Sequence, residues 1–194
     1  MRISLKNLLI AAALIAVPAT ASALDVRIEG AVEARESYES DRVSLAYARG
    51  QVLSQQTLRG PTGDVEVLTV RFVDPEHGTL ARDAFLSVSL YERAPVVEDA
   101  SSPEEAIAQN FIAALTEGLG DHATVRPERV ALGGQSFDGY RVTLPESVRA
   151  NDAVFYVQST GEGYALIYAQ VAPRDVLVRA AIDEVVESLE FGAN

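Results

Sequence analysis

Residues 153–189 read AVFYVQSTGEGYALIYAQVAPRDVLVRAAIDEVVESL, and this stretch decides the fold. Ala153 to Gln158 and Tyr164 to Val171 are β-rich runs joined by Ser159-Thr160-Gly161-Glu162-Gly163, a glycine-bearing turn suited to positive φ. So short a link makes the two strands antiparallel neighbours. Pro173 then opens a helix in which Leu177, Val178, Ala181, Ile182, Val185, Val186 and Leu189 form the broad apolar stripe of a helix laid on a sheet.

Upstream the same grammar repeats. Thr124 to Leu132 pairs with Gly139 to Leu144 across Gly133-Gly134-Gln135-Ser136. Before it lies a helix with an explicit start. Ser102 is the N-cap, Pro103 takes the first helical position, and Glu105 completes a capping box that satisfies orphan backbone donors. Ile107, Phe111, Ala114 and Leu115 keep one face apolar, and Gly118 and Gly120 mark the stop. Earlier still, the turn Gly60-Pro61-Thr62-Gly63 leads into a strand running to Val73. The loop Asp74–Gly78 follows, and Ala84 to Tyr91 is a second strand, adjacent and antiparallel to the first. Leu24 to Leu58 is ambiguous: Val26 to Glu29 alternates, Glu33 to Asp41 is polar and acidic, and Val43 to Leu53 mixes both patterns. It reads as an N-terminal extension leading into a first strand. The order is strands, helix, four strands, helix, which is α+β with a central antiparallel sheet and two main helices, at about 102–118 and 173–189. It is not the alternating βαβ of nucleotide-binding folds.

Residues 1–23 carry the three parts of a secretory leader. Arg2 and Lys6 supply positive charge, Leu8 to Val17 is an unbroken apolar run of ten, and Ala21-Ser22-Ala23 offers small residues for cleavage after Ala23. The run is too short for a hydrocarbon core of about 30 Å. The expected organisation is therefore a signal peptide at 1–23, an extension and first strand at 24–61, and an α+β domain at 62–194. The mature chain is expected to be periplasmic and soluble, without stable membrane insertion. It would carry 14 basic residues, all arginine, against 28 acidic ones, hence a charge of −14 (14 − 28). Such a chain repels phosphate backbones, so nucleic acid is excluded as a partner. With no cysteine and two histidines, thiolate metal sites, iron–sulfur clusters, cysteine nucleophiles and three-imidazole sites are excluded as well.

The strand runs GYALIYAQVAP (163–173), the closing helix RDVLVRAAIDEVVESLEF (174–191), the middle helix SPEEAIAQNFIAAL (102–115) and the turn LGGQSFDGYRVTL (132–144) carry a resemblance. Over roughly residues 62–191 the chain resembles the PsbP-like α/β/α sandwich superfamily, whose bacterial members include exported DcrB-like proteins of the cell envelope. The resemblance implies a mostly non-enzymatic role. Relatives include an extrinsic photosystem II subunit, a Ran-binding nuclear import factor and secretion-effector chaperones, which share docking on a larger partner. Many bacterial relatives are lipoproteins, and this chain departs from them by lacking a lipid-acceptor cysteine. The family has no common catalytic residues to carry over.

Candidate chemistry is sparse. Gly134-Gln135-Ser136-Phe137-Asp138-Gly139 approaches the G-x-S-x-G nucleophile elbow, but it is one residue too long and lies between strands, so a hairpin turn is the preferred reading. Asp74, Glu76 and His77 could converge on a cation, yet the spacing of a metal motif is missing. His122 follows Asp121 in a loop. The acidic pairs Glu98-Asp99, Glu104-Glu105 and Asp183-Glu184 read as solvated faces, with Glu104 and Glu105 favoured at a helix N-terminus. Tyr156, Tyr164 and Tyr168 line hairpin faces, with Phe155 opposite Tyr156. The expected function is an exported, non-catalytic binding or accessory protein that docks on a cell-envelope protein, with no cofactor. Its working surface would be the sheet face or edge left uncovered by the helices, plus the loops at Gly60–Gly63 and Asp74–Gly78. A periplasmic small-molecule or metal-binding domain is the alternative, and an unrecognised hydrolase ranks last.

Overall fold

The structure is a computed structural model that describes residues 35–60, 62–74, 79–119, 123–145 and 151–192, with the backbone alone at 74 and 79–83. The leader at 1–23, its cleavage site at Ala23, and Val26 to Glu29 lie outside the described residues. In chain order the elements are β1 (Arg35–Glu39), β2 (Val43–Ala48), β3 (Val52–Gly60), β4 (Gly63–Asp74), β5 (Thr79–Tyr91), α1 (Pro103–Leu119), β6 (Thr124–Leu132), β7 (Gln135–Thr143), β8 (Asp152–Thr160), β9 (Gly163–Val171), α2 (Val176–Glu187) and β10 (Glu190–Phe191). Seven strands form one sheet in the order β3-β4-β5-β9-β8-β7-β6, with every neighbour antiparallel. A small sheet, β1-β2-β10, stands apart. This is the expected α+β sandwich.

The period of two sorts the strand side chains into two cores. On one face Leu166 and Tyr168 of β9, Phe155 of β8 and Val67 of β4 pack with Ile107, Phe111 and Leu115 of α1. On the other face Ile167, Ala169, Tyr156 and Val70 pack with Val178, Ile182, Val185 and Val186 of α2, and with Val43 and Leu45 of the small sheet. Strand β9 lies mid-sheet and is buried on both faces, so its run YALIYAQV is almost continuously apolar. Phe155 and Tyr156 point oppositely, as expected. Phe155 stacks on Tyr140 at 4.8 Å and meets Phe111 edge-on at 5.0 Å, whereas Tyr156 stacks on Phe137 at 3.9 Å.

Several boundaries differ from the sequence reading. Where it expects one strand in 24–61, residues 35–60 hold three. β1 (RESYE) and much of β3 are exposed, so no apolar alternation announces them; only β2 buries Val43 and Leu45. The turn between β6 and β7 is Gly133-Gly134 alone, at φ 55° and 66°, the hairpin geometry that glycine permits, so β7 begins at Gln135 and not at Gly139. A capping interaction opens α1, with Glu105 N–H donating to Ser102 Oγ at 3.1 Å. The Glu105 carboxylate reaches one residue further back than a capping box requires, accepting from the Ser101 N–H at 2.8 Å and from the Ser101 hydroxyl. α2 starts at Val176, not Pro173, because Asp175 is the N-cap: its Oδ1 accepts from Val178 N–H at 3.0 Å.

Candidate functional site

The late start of α2 leaves two large aliphatic side chains on the surface. β9 ends at Val171, the chain turns through Pro173 and Arg174, and the inward stripe begins only at Val178. Val176 and Leu177 precede that stripe and project into solvent, 74% and 62% exposed. The expectation that Leu177 belongs to the packed stripe is thus corrected: with Asp175 and not Pro173 at the helix start, Leu177 lies in the first turn and faces solvent. The start of β5 and the start of β8 share this end of the sheet, because β5 and β8 each run antiparallel to β9.

Beside the aliphatic pair lies an ion-pair chain. Glu128, Arg141 and Asp152 occupy the α2 side of β6, β7 and β8, at strand positions in phase with Val130, Phe137 and Val154. Arg141 Nε and Nη2 donate to the Glu128 carboxylate at 3.0–3.1 Å, and Nη1 donates to Asp152 Oδ1. Arg179, one turn into α2, donates from Nη2 to Asp152 Oδ2 at 2.9 Å. Two arginines balance two carboxylates and tie three strands to the helix. The bond from Arg141 holds the Glu128 carboxyl below its ordinary range, and reciprocally the Glu128 carboxylate raises Arg141 further above neutrality. Under this chain is a narrow cleft lined by Leu132, Val154, Val171, Ile182, Asp152 and Arg179. Its internal space of about 10 Å³ holds about one water.

Glu76, His77 and His122 lie outside the described residues, and of Asp74 only the backbone is described, closing β4. Among the described residues no group of three His, Cys, Asp or Glu side chains can hold a metal ion. Ser136 is exposed at the start of β7, directly after the hairpin turn. The acidic pair Asp183-Glu184 is more than a solvated face: Asp183 Oδ1 accepts from Gly133 N–H at 2.9 Å, fastening α2 to the β6–β7 turn, and Glu184 pairs with Arg35 at 3.5 Å. The buried tyrosines are structural. Burial pushes the Tyr91 phenol up to about 12 and raises Tyr156 and Tyr168 further, so none is poised for proton transfer near neutrality. The large apolar side chains exposed among the described residues are aliphatic (Val52, Val96, Val176 and Leu177), not aromatic. No helix of the described residues is long and apolar enough to cross a membrane.

No family model matches the sequence, and no curated relative does. Among solved structures the chain is similar to cyanobacterial PsbP (CyanoP) from Synechocystis sp. PCC 6803, known from its solution structure. The two share 17% identity over 87% of this chain and 98% of that one, with a TM-score of 0.50. The fold is therefore PsbP-like.

Proposed function

We propose that the chain is an exported, non-catalytic accessory protein that docks on a protein partner in the cell envelope, with Val176 and Leu177 at the centre of the contact. The observation that carries this reading is the aliphatic pair itself. Two neighbouring large apolar side chains stand 74% and 62% exposed at the head of a helix whose stripe is otherwise buried. Covering what remains exposed of each is worth about 1–2 kcal/mol to a partner. The Arg141–Asp152–Arg179 chain beside it supplies the polar rim such contacts have. The leader pattern at 1–23 supports delivery to the periplasm, and the likeness to DcrB-like exported proteins agrees with that compartment.

Expression from the native locus with a C-terminal tag, light crosslinking and mass spectrometry tests the proposal. An envelope protein should co-isolate with the wild type and be lost at least tenfold on Val176→Ser/Leu177→Ser, and the isolated chain should begin at Leu24. Equal capture by the double variant, or no reproducible companion, contradicts the reading.

A further inference from the structure

The chain is strongly acidic, yet the corner of the molecule around Val176 and Leu177 is not. Four arginines gather there: Arg126 on β6, Arg141 on β7, Arg174 just before α2 and Arg179 within it. The ladder brings them together. Thr124 pairs with Thr143, Thr143 with Asp152, and Asp152 with Val171, so the starts of β6 and β8 and the ends of β7 and β9 form one margin. Arg126 lies two residues inside that margin, opposite Arg141 and hence on the same face, and Arg174 follows Val171 by three residues. Three described carboxylates share the corner, and all are committed. Glu128 is held by Arg141 at 3.0–3.1 Å, Asp152 takes both Arg141 and Arg179, and Asp175 caps α2 through Val178 N–H. Among the described residues the corner therefore stands at +1 (4 − 3), whereas the rest of residues 24–194 holds 10 arginines against 25 acids.

Arg126 and Arg174 are the two left over. Both are exposed, and neither has a carboxylate partner among the described residues. Arg126 also faces Arg141 directly across the ladder, a like-charge pairing that weakens a sheet. Function is a common reason for a chain to keep such a local conflict. We propose that the partner surface docked here is acidic: an apolar socket for Val176 and Leu177, rimmed by aspartates and glutamates that meet Arg126 and Arg174. The proposal rests on the docking reading above and adds the partner's chemistry. Charge complementarity selects it, because a basic partner would be drawn to the acidic faces elsewhere, and an acidic one is repelled there and accepted at this corner. Screening at physiological salt limits these forces to about 8 Å, so the corner acts on what touches it. An anionic lipid surface fits less well, since it is a broad plane and the chain without its leader carries −14 (14 − 28).

A photoreactive residue at Leu177 of the full-length chain reads the contact in cells, in three backgrounds: arginines unchanged, Arg126→Glu/Arg174→Glu, and Arg126→Lys/Arg174→Lys. The protein adduct should fall at least tenfold in the glutamate background and stay within twofold in the lysine one. Peptide mapping should place the crosslink on a partner segment of net negative charge. A salt series needs no substitution of the arginines. In an envelope extract the adduct should weaken several-fold between 0.1 M and 1 M salt, over which the screening length shrinks from about 10 Å to about 3 Å. An adduct that persists in the glutamate background, ignores salt, or maps to a neutral or basic segment overturns the acidic-partner proposal and leaves the docking reading standing. Binding of the purified exported protein to phosphatidylglycerol vesicles, lost in the glutamate variant, overturns it too, because the arginines then serve a lipid surface. No adduct from position 177 in any background overturns both.

Discussion

Gly163 opens β9 at φ +140°, and a Cβ there would lie 2.1 Å from the Tyr91 carbonyl oxygen, where β9 starts beside the end of β5. Gly163→Ala therefore combines backbone strain with overpacking and should cost about 2–4 kcal/mol in urea unfolding. Gly50→Ala, at φ +97° but with nothing within 4 Å, should cost only about 1–2 kcal/mol from the backbone alone. Equal losses at the two sites would show that the close approach at Gly163 relaxes freely. Arg141 gives the second residue-level prediction. Arg141→Met leaves half-buried Asp152 with Arg179 as its single arginine and should cost about 1–2 kcal/mol at neutral pH. Glu128 has a folded pKa lowered by Arg141, so its stabilisation is complete above the ordinary value near 4.5 and is lost as pH falls through the lower folded value. The gap between wild type and Arg141→Met should accordingly narrow as pH falls from about 5 to about 3, and a constant gap would contradict the pairing. At this scale the turn glycines were legible because positive φ restricts residue choice. The Glu128–Arg141–Asp152–Arg179 chain was not, because its members are up to tens of residues apart and only the strand register brings them onto one face.

The helices were legible as elements, since capping residues and a 3.6-residue period are local signals. Their ends were less so: Pro173 and Asp175 are both plausible openings, and the choice between them moves Leu177 from the packed stripe to the surface. That is why the candidate site escaped the sequence. The small sheet was illegible for a different reason. β2 is held by β10, which pairs with it through Ser44↔Glu190 and Val43↔Phe191, and by Ser188, whose Oγ accepts from Ala46 N–H at 2.9 Å and donates to Ala46 O at 3.1 Å. Those contacts span at least 142 residues of sequence, and no local pattern records them. The element-scale prediction follows from the same helix. Ile182→Ala, inside the stripe and 1% exposed, should cost about 2–5 kcal/mol. Val176→Ser/Leu177→Ser, outside it, should change stability by no more than about 0.5 kcal/mol per site. A large loss from the double variant would mean that the pair supports the fold and is not a free surface.

At the scale of the whole molecule the PsbP-like sandwich buries two cores on one sheet. The tyrosines with the largest shifts are buried structural groups, the cleft beside Arg179 has room for about one water, and the ion pairs are mutually neutralised. The described surface also offers an aliphatic pair at one end of the sandwich, Val176 and Leu177. The order of elements made the fold class legible, whereas the contact surfaces depend on which residues the packing leaves out. The most direct test of the docking claim is site-specific photocrosslinking in intact cells, with a photoreactive residue at Leu177 or, at the opposite end of the sandwich, at fully exposed Val96. The account predicts a discrete adduct with one envelope protein from position 177 and none of that size from position 96. The same adducts from both positions, or none from 177, would contradict it.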